Sequence, residues 1–442
     1  MGGYGRVRRR LLFRAPGYVY CDLLTGRSTG RSALTGLIYC GPSGYETSSK
    51  YVAAFPSDLQ LIQRLERMVH AAAQRLCDKF LARRGHGPLD VAAAYSYHTA
   101  DIISEEGVYA MFHLIRIMRH FPSVAWLLDR VPMSVINAVS ENVGALASHS
   151  KVKLPLLVRR AEAACDAGLQ MSQNTVLFLL LSSNLPAEKK TEERLSGEAN
   201  VFLAVGTETT ATVLSLCTHH LLKKPDVVAK IRAELLAVVK DPEALADWFV
   251  LEQLLYLTAV IKETLRLMYG LSSRLPKIAP DEDVLYQGTW TPPAMTQAVS
   301  VIHVILRGCV MGMSAYLVHM DEHLFPGPAK FAPKRWLLRN GRKDRHLEQY
   351  LVTFWRGTRQ CLGMQYVFAL LSVVTLSRHP ANRRTFNRLA YCELFIAVAA
   401  LILRVMGNTR LFDTTDADVV YDFDLALAMP KKDGKGIQIN MS

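Results

Sequence analysis

Apolar residues recur at three- and four-residue spacing from Leu61 through Leu65, Met68, Val69, Ala72 and Leu76 to Leu81. That periodicity predicts an amphipathic helix starting near Asp58. A second helix is expected from about Asp90 to Ser104, and further helical sequence runs to about Leu128. A long helix spans roughly Gly197 to Leu222, with Pro225 closing it. Asp226 to Val239 is amphipathic, and Glu252 to Met268 forms another strong helical run. Turn-rich sequence with short strand candidates follows to about Pro333. Residues 1–55 carry little periodicity and much Gly, Ser, Thr and Arg, so they read as loop or poorly ordered chain. The expected fold is mainly α with a minor β-sheet, and residues 56–442 form one large helical domain without internal repeats.

Composition narrows the function classes. Half the residues are apolar and 21% are charged, which is globular usage. The formal net charge is +13, part of it in the run from Arg6 to Arg10 and the rest dispersed. A dispersed basic excess favours a membrane surface or an acidic redox protein as partner. No zinc spacing, helix-turn-helix signal or aromatic–basic stripe accompanies it, so no nucleic-acid partner is expected. The eight cysteines are scattered with no C-x-x-C pair, which argues against a zinc site or a disulfide framework and for a reducing compartment. The most apolar late stretch, Leu389 to Met406, is interrupted by Glu393 and Arg404 and is too short to cross a bilayer. The first twenty residues lack the apolar core of a signal peptide.

One cysteine stands apart. Phe354, Gly357, Arg359, Cys361 and Gly363 fit the spacing F-x-x-G-x-R-x-C-x-G. A thiolate at Cys361 would donate strongly to haem iron and assist O–O cleavage. Gly357 lets the chain turn where a side chain would strike the porphyrin. Arg359 can pair with a propionate, and Gly363 lets the next helix approach the ring. The N–H groups and dipole of that helix would hold the sulfur anionic. A buried structural cysteine is the alternative for any single Cys. Five fixed residues at fixed spacing displace it, because a chance match lies well below about one in a thousand at ordinary residue frequencies.

This segment resembles the cytochrome P450 signature, and its flanks are most similar to fungal members of the trichodiene-oxygenase-like group. The resemblance covers roughly residues 55–105 and 113–430 and is strongest after residue 197. It implies a P450-type haem domain binding haem b, with NADPH electrons arriving through NADPH–cytochrome P450 reductase. O2 and a small apolar, terpenoid-like substrate of secondary metabolism would be consumed by a monomer. Relatives sit on the endoplasmic reticulum membrane, although no anchor is legible in this chain.

The resemblance gives meaning to three further groups. Glu263 and Arg266 share one helix face at three-residue spacing, which alone predicts only a local ion pair. In the family such a pair forms a triad with a later arginine, and the run Phe331 to Trp336 places Arg335 there. Gly206, Thr207, Glu208, Thr209 and Thr210 lie inside the long helix, where such residues weaken it. They resemble the oxygen-activation segment, in which the helix widens locally, Thr209 contacts dioxygen and Glu208 feeds a proton relay. Arg274 matches a second propionate contact.

Four places depart from the family pattern. The anchor and first helices are not recognisable in residues 1–50, and about thirty residues are missing after Ser104 to Val108. Insertions are expected near 297–310 and at 366–388. The second back-translates to a short fungal intron, with Gln365-Tyr366-Val367 encoding its donor, Ala381-Asn382 its branch and Asn387-Arg388 its end. It would break the helix that follows Cys361. The expected function is therefore a haem-thiolate monooxygenase, with a truncated or mis-spliced, non-catalytic remnant as the alternative. A haem-thiolate isomerase or dehydratase would need no relay, and Glu208 with Thr209 counts against it.

Overall fold

The computed structural model describes residues 59–103, 131–132, 134–135, 138, 148, 152–167, 181, 186–187, 190–272, 275–278, 283–290, 299–356, 361, 389–425, 427–431 and 434–442. The expectations for residues 1–55, for the helices between Ser104 and Leu128 and for the 366–388 insertion lie outside them.

Most of the periodic runs are helices where expected. The first, α1 (Leu59–Ala82), turns Val69, Ala73, Leu76, Cys77 and Phe80 into the core. It is followed by the short strand β1 (Leu89–Asp90) and by α2 (Val91–Ile103). Next come α3 (Leu154–Asp166) and the long α4 (Glu192–Leu222). Helix α4 starts ahead of the expected Gly197 because Thr191 caps it, its side chain accepting from the Arg194 N–H. Glu192 and Glu193 in its first turn complement the positive end of the helix dipole. Helix α5 (Pro225–Val238) opens on a proline, whose missing N–H costs nothing there.

The run expected as one helix from Glu252 to Met268 is instead two, α6 (Trp248–Gln253) and α7 (Leu255–Met268). Leu254 between them is extended, with φ −66° and ψ 125°. The reason is tertiary. The Glu234 carboxylate on α5 accepts the N–H groups of Tyr256 and Leu257, capping α7 from another helix and fixing the break.

The last long helix, α10 (Leu389–Arg404), is buried at every position from Tyr391 to Leu403. The apolar stretch of the sequence is thus the centre of the core, packed against α1, α4, α5, α6 and α7. Arg232 donates to the Ile402 and Leu403 carbonyls, satisfying part of its last turn. Arg404 at its end reaches Gln74, Asp78 and Glu243.

The sheets are small and antiparallel. Strand β9 (Gln438–Met441) lies between β1 and β6 (Thr409–Leu411). Strand β2 (Leu275–Ile278) pairs with β5 (Val310–Met313), and β7 (Phe423–Leu425) with β8 (Leu427–Met429). Strand β3 (Val284–Trp290) pairs with β4 (Val299–Ile305) along its whole length, from Val284 opposite Ile305 to Trp290 opposite Val299. Residues 299–305, within the segment expected as an insertion, are therefore a paired strand. Two short helices, α8 (Ala315–His319) and α9 (Arg345–Glu348), and a 3-10 turn at Pro333–Trp336 complete the layer beside α7. The result is a helix-dominated domain with minor sheet.

Helix α7 ends on two consecutive left-handed residues, Tyr269 (φ 62°) and Gly270 (φ 65°). A Cβ on Gly270 would lie 2.3 Å from the Thr353 carbonyl oxygen, where neither backbone can yield. Gly270→Ala is expected to cost about 1–3 kcal/mol, read as a lower denaturant midpoint at unchanged slope. A wild-type midpoint would show that the close approach is relaxed in solution.

Candidate active site

Because α7 is buried from Leu257 to Met268, its charged residues must find partners inside the protein. Glu263 does so completely. Its Oε1 accepts from Arg266 Nη2 (2.8 Å), the Ala332 N–H (2.9 Å) and Arg335 Nε (3.1 Å). Its Oε2 accepts from Arg266 Nε (3.0 Å) and Trp336 Nε1 (2.9 Å). Arg266 also donates to the His319 carbonyl at 2.9 Å, and its guanidinium lies 5.1 Å from the Phe325 ring centre. Arg335 spends its outer nitrogens on the Pro326, Gly327 and Lys330 carbonyls. The structure thus brings Glu263, Arg266 and Arg335 together as a bidentate, charge-assisted cluster. Trp336 and Ala332 are members that sequence reasoning missed, although both lie in the run that supplied Arg335. Lys262, the next charged residue, pairs with Glu348.

From this cluster the chain runs into the cysteine loop. The Val352 N–H donates to His319 Nε2 at 3.0 Å. Burial, and then the Arg266 charge, push the His319 pKa down to about 3, which keeps that nitrogen an acceptor. Thr353 Oγ1 donates to the Leu265 carbonyl at 2.7 Å, and Thr353 presses on Gly270. The Phe354 ring sits 5.3 Å from that of Tyr391 on α10. Trp355 takes a left-handed φ of 57° as the chain turns. The Cys361 N–H then donates to the Phe354 carbonyl at 2.9 Å, closing the loop and leaving Cys361 half-buried. Gly357, Arg359, Gly363 and Arg274 lie outside the described residues, as does the chain directly after Cys361.

On α4, neighbouring residues face different ways, as a 3.6-residue turn requires. Glu208 is buried against α2, where Ser96 hydrogen-bonds it, and burial raises its pKa in spite of that bond. Thr209 is half-buried and donates to the Val205 carbonyl at 2.7 Å, on the side where Val205 is exposed. The sequence resemblance implied a local widening here, but α4 is continuous from Glu192 to Leu222. Hydroxyls load its carbonyls instead. Thr212 donates to Glu208 and Ser215 to Ala211, each four residues back. The Thr99 hydroxyl on α2 is shared between the Tyr95 and Thr207 carbonyls, each at 2.9 Å.

Thr210, the next residue, donates to Glu393 Oε2 on α10 at 3.2 Å. Glu393 was legible in the sequence only as an interruption of an apolar run. Burial raises its pKa from the ordinary 4.5 to about 7, with the Thr210 bond opposing the shift. The folded chain therefore holds this proton more tightly than the unfolded chain does. Stability contributed by the protonated group is full below about pH 4.5 and is lost as pH rises through about 7, by about 3 kcal/mol at the outside. Glu393→Gln should remove this decline, so that its stability relative to wild type rises over that window and then levels. A pH-independent difference between the two urea curves would contradict it.

The model of the family Cytochrome P450 matches residues 46–373. The chain belongs to the cytochrome P450 family. Among P450 relatives, Cytochrome P450 monooxygenase ppzE of Metarhizium majus (strain ARSEF 297) is 35% identical over 354 residues, 72% of this chain and 72% of the relative. Cytochrome P450 monooxygenase tpcC of Cochliobolus heterostrophus is 29% identical over 426 residues, 87% of this chain and 72% of the relative. A fusicoccadiene C-8 hydroxylase of Alternaria brassicicola is 30% identical over 345 residues, 75% and 58% of the two chains. The chain is accordingly an oxygen-incorporating oxidoreductase of the P450 monooxygenase kind. Membership implies haem on a thiolate ligand, use of O2 and electrons from a redox partner. Fungal P450s are typically membrane-associated, and among the described residues no helix is long and apolar enough to cross a membrane.

Proposed function

We propose that this P450 is a haem-thiolate monooxygenase in which Cys361 is the axial ligand and an apolar, terpenoid-like compound is the substrate. The observation that carries the proposal is the Cys361 loop, held closed on Phe354 and fastened to α7 through Thr353. Its donor chemistry fits haem. Among the described residues no three His, Cys, Asp or Glu side chains converge on a metal site. One thiolate suits a metal whose other ligands the cofactor brings with it. When bound, the haem supplies the oxygen-inserting chemistry, with NADPH electrons delivered by a reductase.

The chain's own residues orient and protonate. By the family resemblance Phe354, Gly357 and Gly363 would shape the loop, and Arg359 and Arg274 would pair with the haem propionates. The buried triad of Glu263, Arg266 and Arg335 braces the loop from below through α7. By the same resemblance Glu208, whose proton affinity burial raises, would take part in proton supply, and the Thr209 hydroxyl would hydrogen-bond the bound oxygen. The half-buried Thr209 hydroxyl, beside exposed Val205 on a stretch where Thr207, Glu208 and Thr210 are buried, supports that reading. The hydroxylase name of the Alternaria relative supports a terpenoid-like substrate. The proposal extends to a single haem domain over 56–442, a monomeric state and an endoplasmic reticulum location.

Reduced-CO difference spectroscopy on purified full-length chain tests it. A Soret band at the thiolate-ligated position is expected. Absence of haem retention favours the second reading, a non-catalytic remnant, which draws support from a family match that stops at residue 373, inside the 366–388 segment. Thr209→Ala should lower the substrate oxidised per O2 about tenfold, the worth of roughly one hydrogen bond at about 1.4 kcal/mol. The excess should appear as hydrogen peroxide per NADPH consumed. Unchanged coupling would take Thr209 out of the proton supply.

A further inference from the structure

Helix α10 touches both halves of the proposed site. Tyr391 meets Phe354, the first residue of the cysteine loop, and Glu393 meets Thr210, the neighbour of Thr209. The two contacts leave the helix on different sides, since positions two apart on an α-helix differ by roughly 200°. Glu393 is an expensive residue in this place. From Tyr391 to Leu403 it is the one acidic side chain, and it is 4% exposed. A leucine there would pack without desolvating a carboxyl group. Its bond to Thr210 joins residues 183 apart in the chain.

We propose that Glu393 is a positioning residue. Its carboxyl holds the Thr210 hydroxyl and thereby sets the orientation of the Thr209 turn of α4 relative to the Cys361 loop. The proposal rests on the haem-thiolate reading for its functional meaning. Thr210 is the donor and Glu393 Oε2 the acceptor, so the link needs an oxygen at that place and no negative charge. Glu208, the acid of this α4 turn, is engaged with Ser96 on α2, while Thr210 donates to Glu393 on α10. α4 is thus gripped from two sides, by Ser96 and Thr99 of α2 at Glu208 and Thr207, and by Glu393 of α10 at Thr210.

Four full-length variants test this: Glu393→Gln, Glu393→Leu, Thr210→Val and the Leu/Val double. The probe is carbon monoxide on the reduced, haem-loaded chain, whose C–O stretch senses the polarity and hydrogen bonding of the helix facing it. Glu393→Gln keeps an acceptor oxygen and should keep the wild-type band. Glu393→Leu and Thr210→Val should move or broaden the band alike, and the double should go no further. A second readout is independent of haem. Amide exchange over residues 205–212 should quicken about fivefold in Glu393→Leu and in Thr210→Val, the size expected for one buried hydrogen bond, and not in Glu393→Gln. Lower melting temperatures with an unmoved C–O band would make Glu393 merely structural and overturn the proposal. So would a shift in Glu393→Leu that Thr210→Val does not share. A wild-type chain that takes up no haem would sink the monooxygenase reading, while the exchange measurement would still decide the link.

Discussion

Cys361→Ala is expected to abolish the thiolate-type reduced-CO band and all oxygen insertion, while the helical fold survives. The residue is half-buried in a loop, and alanine keeps the backbone N–H that makes the closing bond to Phe354. The far-ultraviolet circular dichroism should therefore be unchanged. The buried cysteines are not placed to substitute. Burial pushes the thiols of Cys77 and Cys217 up to about 12 and that of Cys392 well above its ordinary value, so none is a ready thiolate near neutral pH. Cys392→Ala is the matched control and should keep the band. A band that persists in Cys361→Ala and vanishes in Cys392→Ala would reassign the ligand.

Glu263→Ala should cost about 3–5 kcal/mol, the penalty for leaving a buried charge without its partner. Arg266 is fully buried, and the truncation would also strand Trp336 Nε1, the Ala332 N–H and Arg335 Nε. A chain so weakened should hold haem poorly, because α7 fastens the start of the cysteine loop through the Leu265 carbonyl, which accepts from Thr353. The same physics predicts non-additivity. Replacing Glu263 and Arg266 together by methionine removes both charges and should cost less than Glu263→Ala alone. Arg335→Ala should be milder than Arg266→Ala, since Arg335 is partly open to solvent. Urea curves of the four variants decide it, and equal costs for all would mean that burial of charge is not what the cluster is built on.

Helices with clear periodicity were legible, because a buried stripe repeats every three or four residues whatever the partner is. Boundaries were less so. The break at Leu254 depends on Glu234 of a different helix, and the early start of α4 depends on a Thr191 cap that the apolar pattern does not contain. At the site, Glu263, Arg266 and Arg335 could be picked out by spacing and order, whereas Trp336, His319 and Thr353 could not, because each acts through a contact made only after folding. Glu393 is the clearest case. An acid in an apolar run looks like a flaw until the run becomes the central helix and Thr210 is found against it.

The amino-acid sequence by itself determined the family, the mainly helical class and the cysteine proposed to carry the chemistry, since a ligand loop is a local pattern of residue types at fixed spacing. Tertiary structure alone decided what grips that loop and the neighbouring turn of α4. Those contacts join residues far apart in the chain, such as Thr353 with Leu265 and Thr210 with Glu393. Burying a polar group is costly unless folding delivers its partner, and no spacing along the chain records which partner arrives.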